Sequence, residues 1–203
     1  MLTLYHAPQS RSSRILWLLE ELGAGDSCEI VYVTIGRQDG SGGADARNPH
    51  PDKKVPALVH DGALVTESAA VVLYLTDLFP KADVGRAVGD PERGPYLSWL
   101  SYYAGVIEPV IHFQFFGLAD NENLRRTFRG RAEMDARILG ALKAGPFVLG
   151  DRFSGADILV ASIGQFARQM MPADKAVDDY LARCAARPAL ARAMARDAKP
   201  AGT

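Results

Sequence analysis

The pattern of hydrophobic and polar positions divides the chain into a first part of mixed strands and helices and a second part of helices alone. In the first part, β-branched and aromatic runs alternate with segments whose apolar residues recur at three-to-four spacing. The predicted order is β-α-β then β-β-α, with strands Leu2–Tyr5, Cys28–Thr34, Ala57–His60 and Ala63–Val65 and helices Ser12–Leu22 and Glu67–Leu78. A βαβ connection predicts parallel strands, and Asp61-Gly62 predicts a hairpin turn.

A stretch rich in proline and glycine then interrupts the pattern and predicts a domain boundary. Beyond it, helical spacing persists in four segments, Glu92–Gly117, Asn121–Ala144, Ser154–Met171 and Lys175–Arg187. The predicted fold class is therefore α/β plus all-α. An N-terminal βαβ-ββα domain would span residues 1–78, a linker 79–90, and a C-terminal α-helical bundle domain 91–203.

The composition excludes several classes of partner. Lys and Arg number 23 against 24 Asp and Glu, so the net charge of −1 argues against nucleic acid and anionic membranes as partners. The first residues lack a basic segment typical of a signal peptide, and the longest apolar run is too short to span a bilayer, so we expect a cytoplasmic protein. Two distant cysteines and four scattered histidines match no metal-site spacing, so we expect no metal.

Two short motifs together predict a site that binds a peptide through its backbone. In Lys54-Val55-Pro56-Ala57-Leu58, proline lacks an N–H at the point where a strand begins, so the backbone of Val55 is left available for an extended ligand. Glu67-Ser68 opens the following helix, whose unpaired N–H groups and positive dipole end favour a carboxylate. Ser68 would add a hydroxyl donor, and Glu67 would pair with an ammonium group.

These residues resemble the cytosolic glutathione transferases, in particular the bacterial members of serine type. The resemblance rests on the βαβ-ββα order, on Ser10-Arg11-Ser12-Ser13-Arg14 before the first helix, on the two peptide-site motifs, and on Phe153-Ser154-Gly155-Ala156-Asp157-Ile158 in the helical part. It implies a thioredoxin-like N-terminal domain, glutathione as co-substrate, and a homodimer. It also implies that Val55, next to Pro56, pairs with the cysteinyl part of glutathione, that Glu67 and Ser68 hold its γ-glutamyl end, and that Lys53 or Lys54 reaches its glycyl carboxylate.

Ser10 is the predicted catalytic residue. It follows the first strand and precedes the first helix, where a hydroxyl and the helix dipole act on the same point. No nucleophile-elbow motif surrounds it, so its expected role is to donate a hydrogen bond to the glutathione sulfur and lower the pKa of that thiol. Ser12, Ser13 and Tyr5 are alternatives for this role.

The resemblance further implies an apolar cleft in the helical domain for a small, mostly apolar electrophile. Trp99, Tyr103 and Val106 are the predicted pocket residues, although aromatic residues at helical spacing are also typical of a core. The predicted function is glutathione transferase. The alternative is a non-catalytic protein of the same fold that binds a ligand or a partner, and peroxidase, dehalogenase or isomerase chemistry on the same thiolate also stays open. A glutaredoxin-like reductase is disfavoured because position 10 is serine.

Overall fold

A computed structural model describes residues 1–198 of the chain as two compact units. The first unit comprises Met1–Val84 together with the described part of Arg187–Thr203, and the second comprises Gly85–Ala186. The chain therefore leaves the first unit after Val84 and returns to it at Arg187. The helical domain predicted over 91–203 includes this returning segment, and its residues 199–203 lie outside the described residues.

The first unit is built on a four-stranded mixed sheet of order β2-β1-β3-β4. Its elements are β1 (Leu2–His6), α1 (Ser13–Glu21), β2 (Cys28–Tyr32), β3 (Ala57–His60), β4 (Ala63–Thr66) and α2 (Ser68–Leu78). Strand β1 pairs in parallel with β2 and antiparallel with β3, and β3 and β4 form the predicted hairpin with Asp61 and Gly62 at positive φ. The predicted βαβ-ββα order is confirmed.

The second unit consists of helices, as predicted. They are α3 (Arg93–Tyr102), α4 (Glu108–Phe115), α5 (Glu122–Thr127), α6 (Arg131–Ala144), α7 (Gly155–Phe166) and α8 (Lys175–Ala185). A π-helical turn over Tyr103–Ile107 joins α3 to α4, next to Pro109, which has no N–H to continue the regular pattern. No helix within residues 1–198 combines the length and the apolar character needed to cross a membrane.

The helix predicted over Asn121–Ala144 is in fact two helices. The prediction was wrong between them because the backbone is extended at Phe128 and at Gly130, so that a new helix begins at Arg131. Asn121 accepts the Leu124 N–H at 3.1 Å as the N-cap of α5. Gly130 is the extended N-cap of α6, and its N–H donates to Glu133 Oε2 at 3.0 Å. Each cap satisfies backbone groups that a new helix start would leave unpaired.

A ninth helix, α9 (Pro188–Asp197), was not predicted and completes the first unit by packing against α1. Proline at its first position suits a helix start, because the N–H that proline lacks would be unpaired there anyway. Its buried side chains are small apart from Leu190, with Ala189 and Ala193 beside it. The face that α9 buries is therefore made mainly of small side chains.

Ion pairs fasten α9 to the last turn of α1. Arg187 donates to both carboxylate oxygens of Glu21, at 2.6 and 2.7 Å, and Arg192 and Arg196 each donate to Glu20 at 2.8 Å. Burial by itself would raise the pKa of Glu20, but the two guanidinium groups hold that pKa below its ordinary value. The carboxylates of α1 are therefore neutralised by a helix that follows the whole second unit in sequence.

We expect Arg187→Gln to lower the free energy of unfolding by about 2 kcal/mol, because it removes the cationic partner of a largely buried carboxylate. The Glu21 side chain is 7% exposed, and the Trp17 indole N–H, at 2.9 Å, would still donate to it. Arg192→Gln is the matched control on the same helix, since its pair is more exposed and worth about 0.5 kcal/mol. Chemical denaturation measures both, and equal effects would contradict the prediction.

Candidate functional site

The strand register brings the predicted site segments of the first unit to one end of the sheet. On β3, Ala57 pairs with Tyr5 of β1 on one side and with Thr66 of β4 on the other. The residues just beyond these three positions are the loop that leads to Ser10, the Val55-Pro56 turn, and Glu67-Ser68. Three segments that are distant in sequence therefore meet at the same sheet edge.

Side-chain packing joins the first two of these segments. Ala7 and Val33 form a buried cluster with Val55, and Tyr5 packs against it. The Ser10 hydroxyl in turn donates to the carbonyl oxygen of Ala7 at 2.7 Å. Ser10 is thus hydrogen-bonded to Ala7, the residue against which the Val55 side chain packs.

Val55 presents its backbone outside the sheet ladder. The Val55-Pro56 peptide bond is cis, and β3 begins only at Ala57. Within residues 1–198, neither the N–H nor the C=O of Val55 has a hydrogen-bond partner, although its side chain is buried. Buried or half-buried backbone groups are nearly always paired in folded proteins, so these two groups are suited to an extended ligand.

The N-terminus of α2 is open. Its N-cap Glu67 has φ 66° and ψ 123°, a strained conformation for a residue other than glycine that costs on the order of 1–3 kcal/mol and is typical of binding sites. No side chain caps the helix, and the half-buried Ser68 hydroxyl has no partner among the described residues. The first N–H groups and the Ser68 hydroxyl together make a site that favours an anion.

Ser10 lies in the loop between β1 and α1 with its hydroxyl half-buried. Besides donating to Ala7, Ser10 Oγ lies 2.8 Å from Ser12 Oγ and accepts the Ser12 N–H at 3.2 Å. The next helix begins at Ser13, so the positive end of its dipole is close to the Ser10 hydroxyl. A negative charge placed beside Ser10 would be stabilised by both.

The alternative hydroxyls differ from Ser10 in exposure and in partners. Ser12 is fully buried. Ser13 donates to Asp197 Oδ1 at 2.5 Å, so its proton is held by a carboxylate. Tyr5 is half-buried and packs against the Val55 cluster, so it remains the alternative to Ser10 for activating the thiol.

Two lysines and one arginine border this sheet end. Lys53 donates its ammonium group to Asn48 O at 2.6 Å, which commits it to the local loop. Lys54 is exposed, and its side chain has no partner among the described residues, so of the two it is the better placed for an anionic ligand. Arg37, which the sequence did not single out, donates to Pro8 O at 2.7 Å and so lies beside the Ser10 loop.

Neither a metal nor a reactive cysteine accompanies these residues. Within residues 1–198, no three His, Cys, Asp or Glu side chains come together in a way that would hold a metal ion. Cys28 is buried at the start of β2, and burial raises the pKa of its thiol to about 11, so the thiol stays protonated at neutral pH.

The predicted pocket residues are core residues of the second unit. Trp99, Tyr103 and Val106 are all buried, with exposed fractions of 6%, 1% and 7%. The guanidinium group of Arg137 lies over the Trp99 ring, 5.0 Å from its centre, and Tyr103 donates to Glu108 Oε1. Their role in substrate binding stays a prediction, and packing is the role that their burial supports.

Sequence reasoning missed two polar residues next to the Ser10 loop. His6 is one of the four histidines that match no metal-site spacing, yet it is fully buried with Nδ1 2.8 Å from Ser12 Oγ. Asp197 comes from α9, which was not predicted, and its carboxylate accepts the Gln9 N–H at 3.2 Å as well as the Ser13 hydroxyl. Only the return of α9 to the first unit brings these two residues together.

Comparisons with known proteins extend these observations. The family model described as "Glutathione S-transferase, N-terminal domain" matches residues 4–85. Glutathione S-transferase GstA of Escherichia coli O157:H7 is 28% identical over 149 residues, which cover 71% of this chain and 72% of GstA.

Solved structures match almost the whole chain. A glutathione transferase from Methylococcus capsulatus strain Bath is 28% identical with a TM-score of 0.75, covering 97% of this chain and 98% of that one. A sphingomonad glutathione S-transferase complexed with glutathione is 25% identical with a TM-score of 0.76, covering 98% of this chain and all of the other.

Proposed function

We propose that the chain is a cytosolic glutathione S-transferase, which activates the thiol of glutathione for attack on a small, mostly apolar electrophile. The family model over residues 4–85 and the similarity to GstA and to the sphingomonad enzyme support this proposal. The observation that carries this proposal is the meeting of three segments at one sheet end. The Ser10 hydroxyl, the unpaired backbone of Val55 and the open N-terminus of α2 offer complementary groups for one extended tripeptide.

Binding would follow the polar groups of glutathione. The N–H and C=O of Val55, held by Pro56, would pair with the cysteinyl residue in the manner of an added strand. The first turn of α2 and the Ser68 hydroxyl would hold the γ-glutamyl carboxylate, with Glu67 near its ammonium group. Lys54 would approach the glycyl carboxylate from the exposed side.

Activation would come from Ser10. A hydrogen bond from its hydroxyl, together with the positive end of the α1 dipole, stabilises a thiolate relative to a thiol and so lowers the pKa of the bound thiol. The serine-type assignment follows from this role. The thiolate then forms a bond to the electrophilic carbon as the leaving group departs with its electron pair.

Glutathione binding and turnover test the proposed function directly. Calorimetry should show glutathione binding to the unmodified protein, and ultraviolet difference spectra should show a bound thiolate at neutral pH. A panel of alkyl and aryl halides, epoxides, peroxides and activated alkenes should identify electrophiles that are consumed only with glutathione present. Binding without a thiolate and without turnover would instead support a non-catalytic ligand-binding protein.

We expect Ser68→Ala to weaken glutathione binding about tenfold, because one hydrogen bond to a charged carboxylate is worth about 1.5 kcal/mol. Calorimetry measures the change in Kd. Ser98→Ala is a suitable control, since the exposed Ser98 hydroxyl donates within its own helix to Gly94 O at 2.9 Å. If both variants bound glutathione as tightly as the unmodified protein, Ser68 would not be a ligand-binding residue.

Two further parts of the proposal rest on family membership. We propose that the protein is a homodimer and acts in the cytoplasm, where glutathione is abundant and thiols stay reduced. Sedimentation at micromolar concentration would reveal a monomer if the first part is incorrect, and fractionation of the source cells tests the second.

A further inference from the structure

His6 carries a buried nitrogen for which the proposed function has no use. Its side chain is fully buried. Among the buried side-chain nitrogen and oxygen atoms of residues 1–198, Nε2 of His6 is the one without a hydrogen-bond partner. Buried polar groups in folded proteins are paired in the large majority of cases, so such an exception calls for a reason. The surroundings of the ring supply one.

On its Nδ1 side, His6 connects to the thiol-activating hydroxyl through a single residue. Nδ1 lies 2.8 Å from Ser12 Oγ, and Ser12 Oγ lies 2.8 Å from Ser10 Oγ. Ser12 is fully buried, whereas Ser10 is half-buried and so partly accessible. Two hydroxyls therefore make a continuous hydrogen-bonded path from the site surface to the buried imidazole.

On its Nε2 side, His6 faces the carboxylate of Asp197. Nε2 and Asp197 Oδ1 are 3.2 Å apart, within ion-pair range but not aligned as a hydrogen bond. Burial by itself would raise the pKa of Asp197, but contacts with His6, Ser13 and the Gln9 N–H hold that pKa below its ordinary value. Asp197 is thus a carboxylate that stays charged beside the ring.

The position of Asp197 is otherwise unfavourable. It is the last residue of α9, where the negative end of the helix dipole disfavours a carboxylate by about 0.3–1 kcal/mol. Its partners at the start of α1 offset this cost. A carboxylate that orients a histidine commonly fixes which ring nitrogen carries the proton, and here it would keep the proton on Nε2 and leave Nδ1 free to accept one.

The remaining neighbours of His6 carry little opposing charge. The Tyr32 ring packs edge-on against the imidazole, with centroids 5.3 Å apart, and its hydroxyl donates to Arg196 O at 2.9 Å. The Arg196 guanidinium is engaged with Glu20 and with Gly25 O. Asp197 is therefore the charged group that lies closest to the ring from the elements packed around it.

We propose that His6, backed by Asp197, takes up the proton of the bound thiol through Ser10 and Ser12. The Ser10 O–H turns from Ala7 O toward Ser12 Oγ, 2.8 Å away, as the thiol approaches. The S–H bond then breaks as the proton passes to Ser10 Oγ, Ser10 passes its own proton to Ser12 Oγ, and Ser12 passes its proton to Nδ1 of His6. Each serine gives one proton and gains one, so the products are a thiolate and an imidazolium that pairs with Asp197. His6 and Asp197 act here as positioning residues behind Ser10, and this relay rests on the proposed function.

The relay predicts where the thiol proton goes when glutathione binds. Calorimetry in two buffers of different ionisation enthalpy counts the protons released at neutral pH, and S-methylglutathione, which has no thiol proton, gives the baseline. Ultraviolet absorbance counts the thiolate formed in the same samples. In the unmodified protein we expect thiolate formation with well under one proton released per thiolate, because the proton stays on His6.

Variants along the path distinguish the relay from a structural role. Ser12→Ala interrupts the path, so the thiolate fraction should fall several-fold and each remaining thiolate should release one proton. Asp197→Asn keeps the size of the side chain and one oxygen that can accept from Gln9 or Ser13 but removes the charge, so the thiolate fraction should fall while the Kd for glutathione changes less than twofold. Arg192→Gln, on the same helix, should leave both quantities unchanged.

Three results would decide against the relay. One full proton released per thiolate in the unmodified protein would show that the thiol proton goes to solvent. An unchanged thiolate fraction in both Ser12→Ala and Asp197→Asn would leave Ser10 acting without them. Absence of bound thiolate in the unmodified protein would instead refute the proposed function on which the relay rests.

Discussion

Ser10→Ala is expected to lower kcat/KM with any electrophile about 10- to 100-fold at neutral pH while glutathione still binds. The Ser10 hydroxyl is the half-buried donor beside the start of α1, and a hydrogen bond to a charged group is worth about 1.5–3 kcal/mol. Its loss should therefore raise the pKa of the bound thiol by about one to two units and remove the thiolate absorbance at neutral pH. Difference spectra and initial rates across pH measure both.

The informative comparison for Ser10 is Tyr5→Phe, because Tyr5 is also half-buried and packs against the Val55 cluster at this sheet end. We expect Tyr5→Phe to keep the thiolate and most of the activity. If the thiolate were lost only in Tyr5→Phe, the activating role would belong to Tyr5. If Ser10→Ala regains activity at higher pH, the result supports a role of Ser10 in lowering the thiol pKa, because hydroxide then deprotonates the bound thiol without it.

Asp157→Asn is expected to lower the free energy of unfolding by about 2–4 kcal/mol. The carboxylate of Asp157 is fully buried and accepts three hydrogen bonds, from the Val148 N–H at 2.9 Å and from the Ser154 N–H and hydroxyl at 2.8 and 2.9 Å. An amide in its place would turn an N–H₂ group toward at least one of these donors and leave it unpaired. Thermal and chemical denaturation should both show the loss.

The same residue gives this prediction a pH dependence of defined sign. Burial raises the pKa of Asp157 from 3.8 to about 6, against the lowering effect of its three donors. The folded state therefore holds this proton more tightly than the unfolded chain, and the associated stability is complete below pH 3.8 and lost as pH rises through about 6. Between pH 7 and pH 5 the unmodified protein should gain about 1.4 kcal/mol relative to Asp157→Asn.

Asp179→Asn is the control for Asp157. Asp179 pairs with Lys175 one turn away on an exposed face of α8, so its replacement should change stability by about 0.5 kcal/mol or less at either pH. A loss in Asp157→Asn no larger than in this control would mean that the buried carboxylate is not needed to hold the start of α7.

The first unit was predictable because its signals are local. Three short motifs each mark one backbone feature. Asp61-Gly62 marks a hairpin turn, Val55-Pro56 marks the start of a strand, and Glu67-Ser68 marks the start of a helix. The register of β3 then follows from alternation, and with it the meeting of Val55 with Glu67 and Ser68. The segments of the proposed tripeptide site are therefore encoded locally in the sequence.

The parts that escaped prediction depend on contacts between distant segments. The site partners of His6 are set by the chain's return at Arg187, and no local pattern around His6 encodes Asp197. The break between α5 and α6, before Gly130, lies inside a continuous pattern of apolar positions, so periodicity alone does not reveal it. Burial of Trp99 and Tyr103 likewise depends on neighbours from other helices, which a single helix pattern cannot specify.

The position of α9 also bears on how the protein is made. On the ribosome, all strands of the sheet emerge well before Asp197, and the complete second unit is translated in between. Until then a nascent chain exposes the face of α1 that α9 later covers, with Glu20 and Glu21 lacking their arginines. Helix α9, made after the second unit, thus delivers both the neutralising charges of α1 and the carboxylate beside His6, and a nascent chain that has not yet reached α9 lacks both.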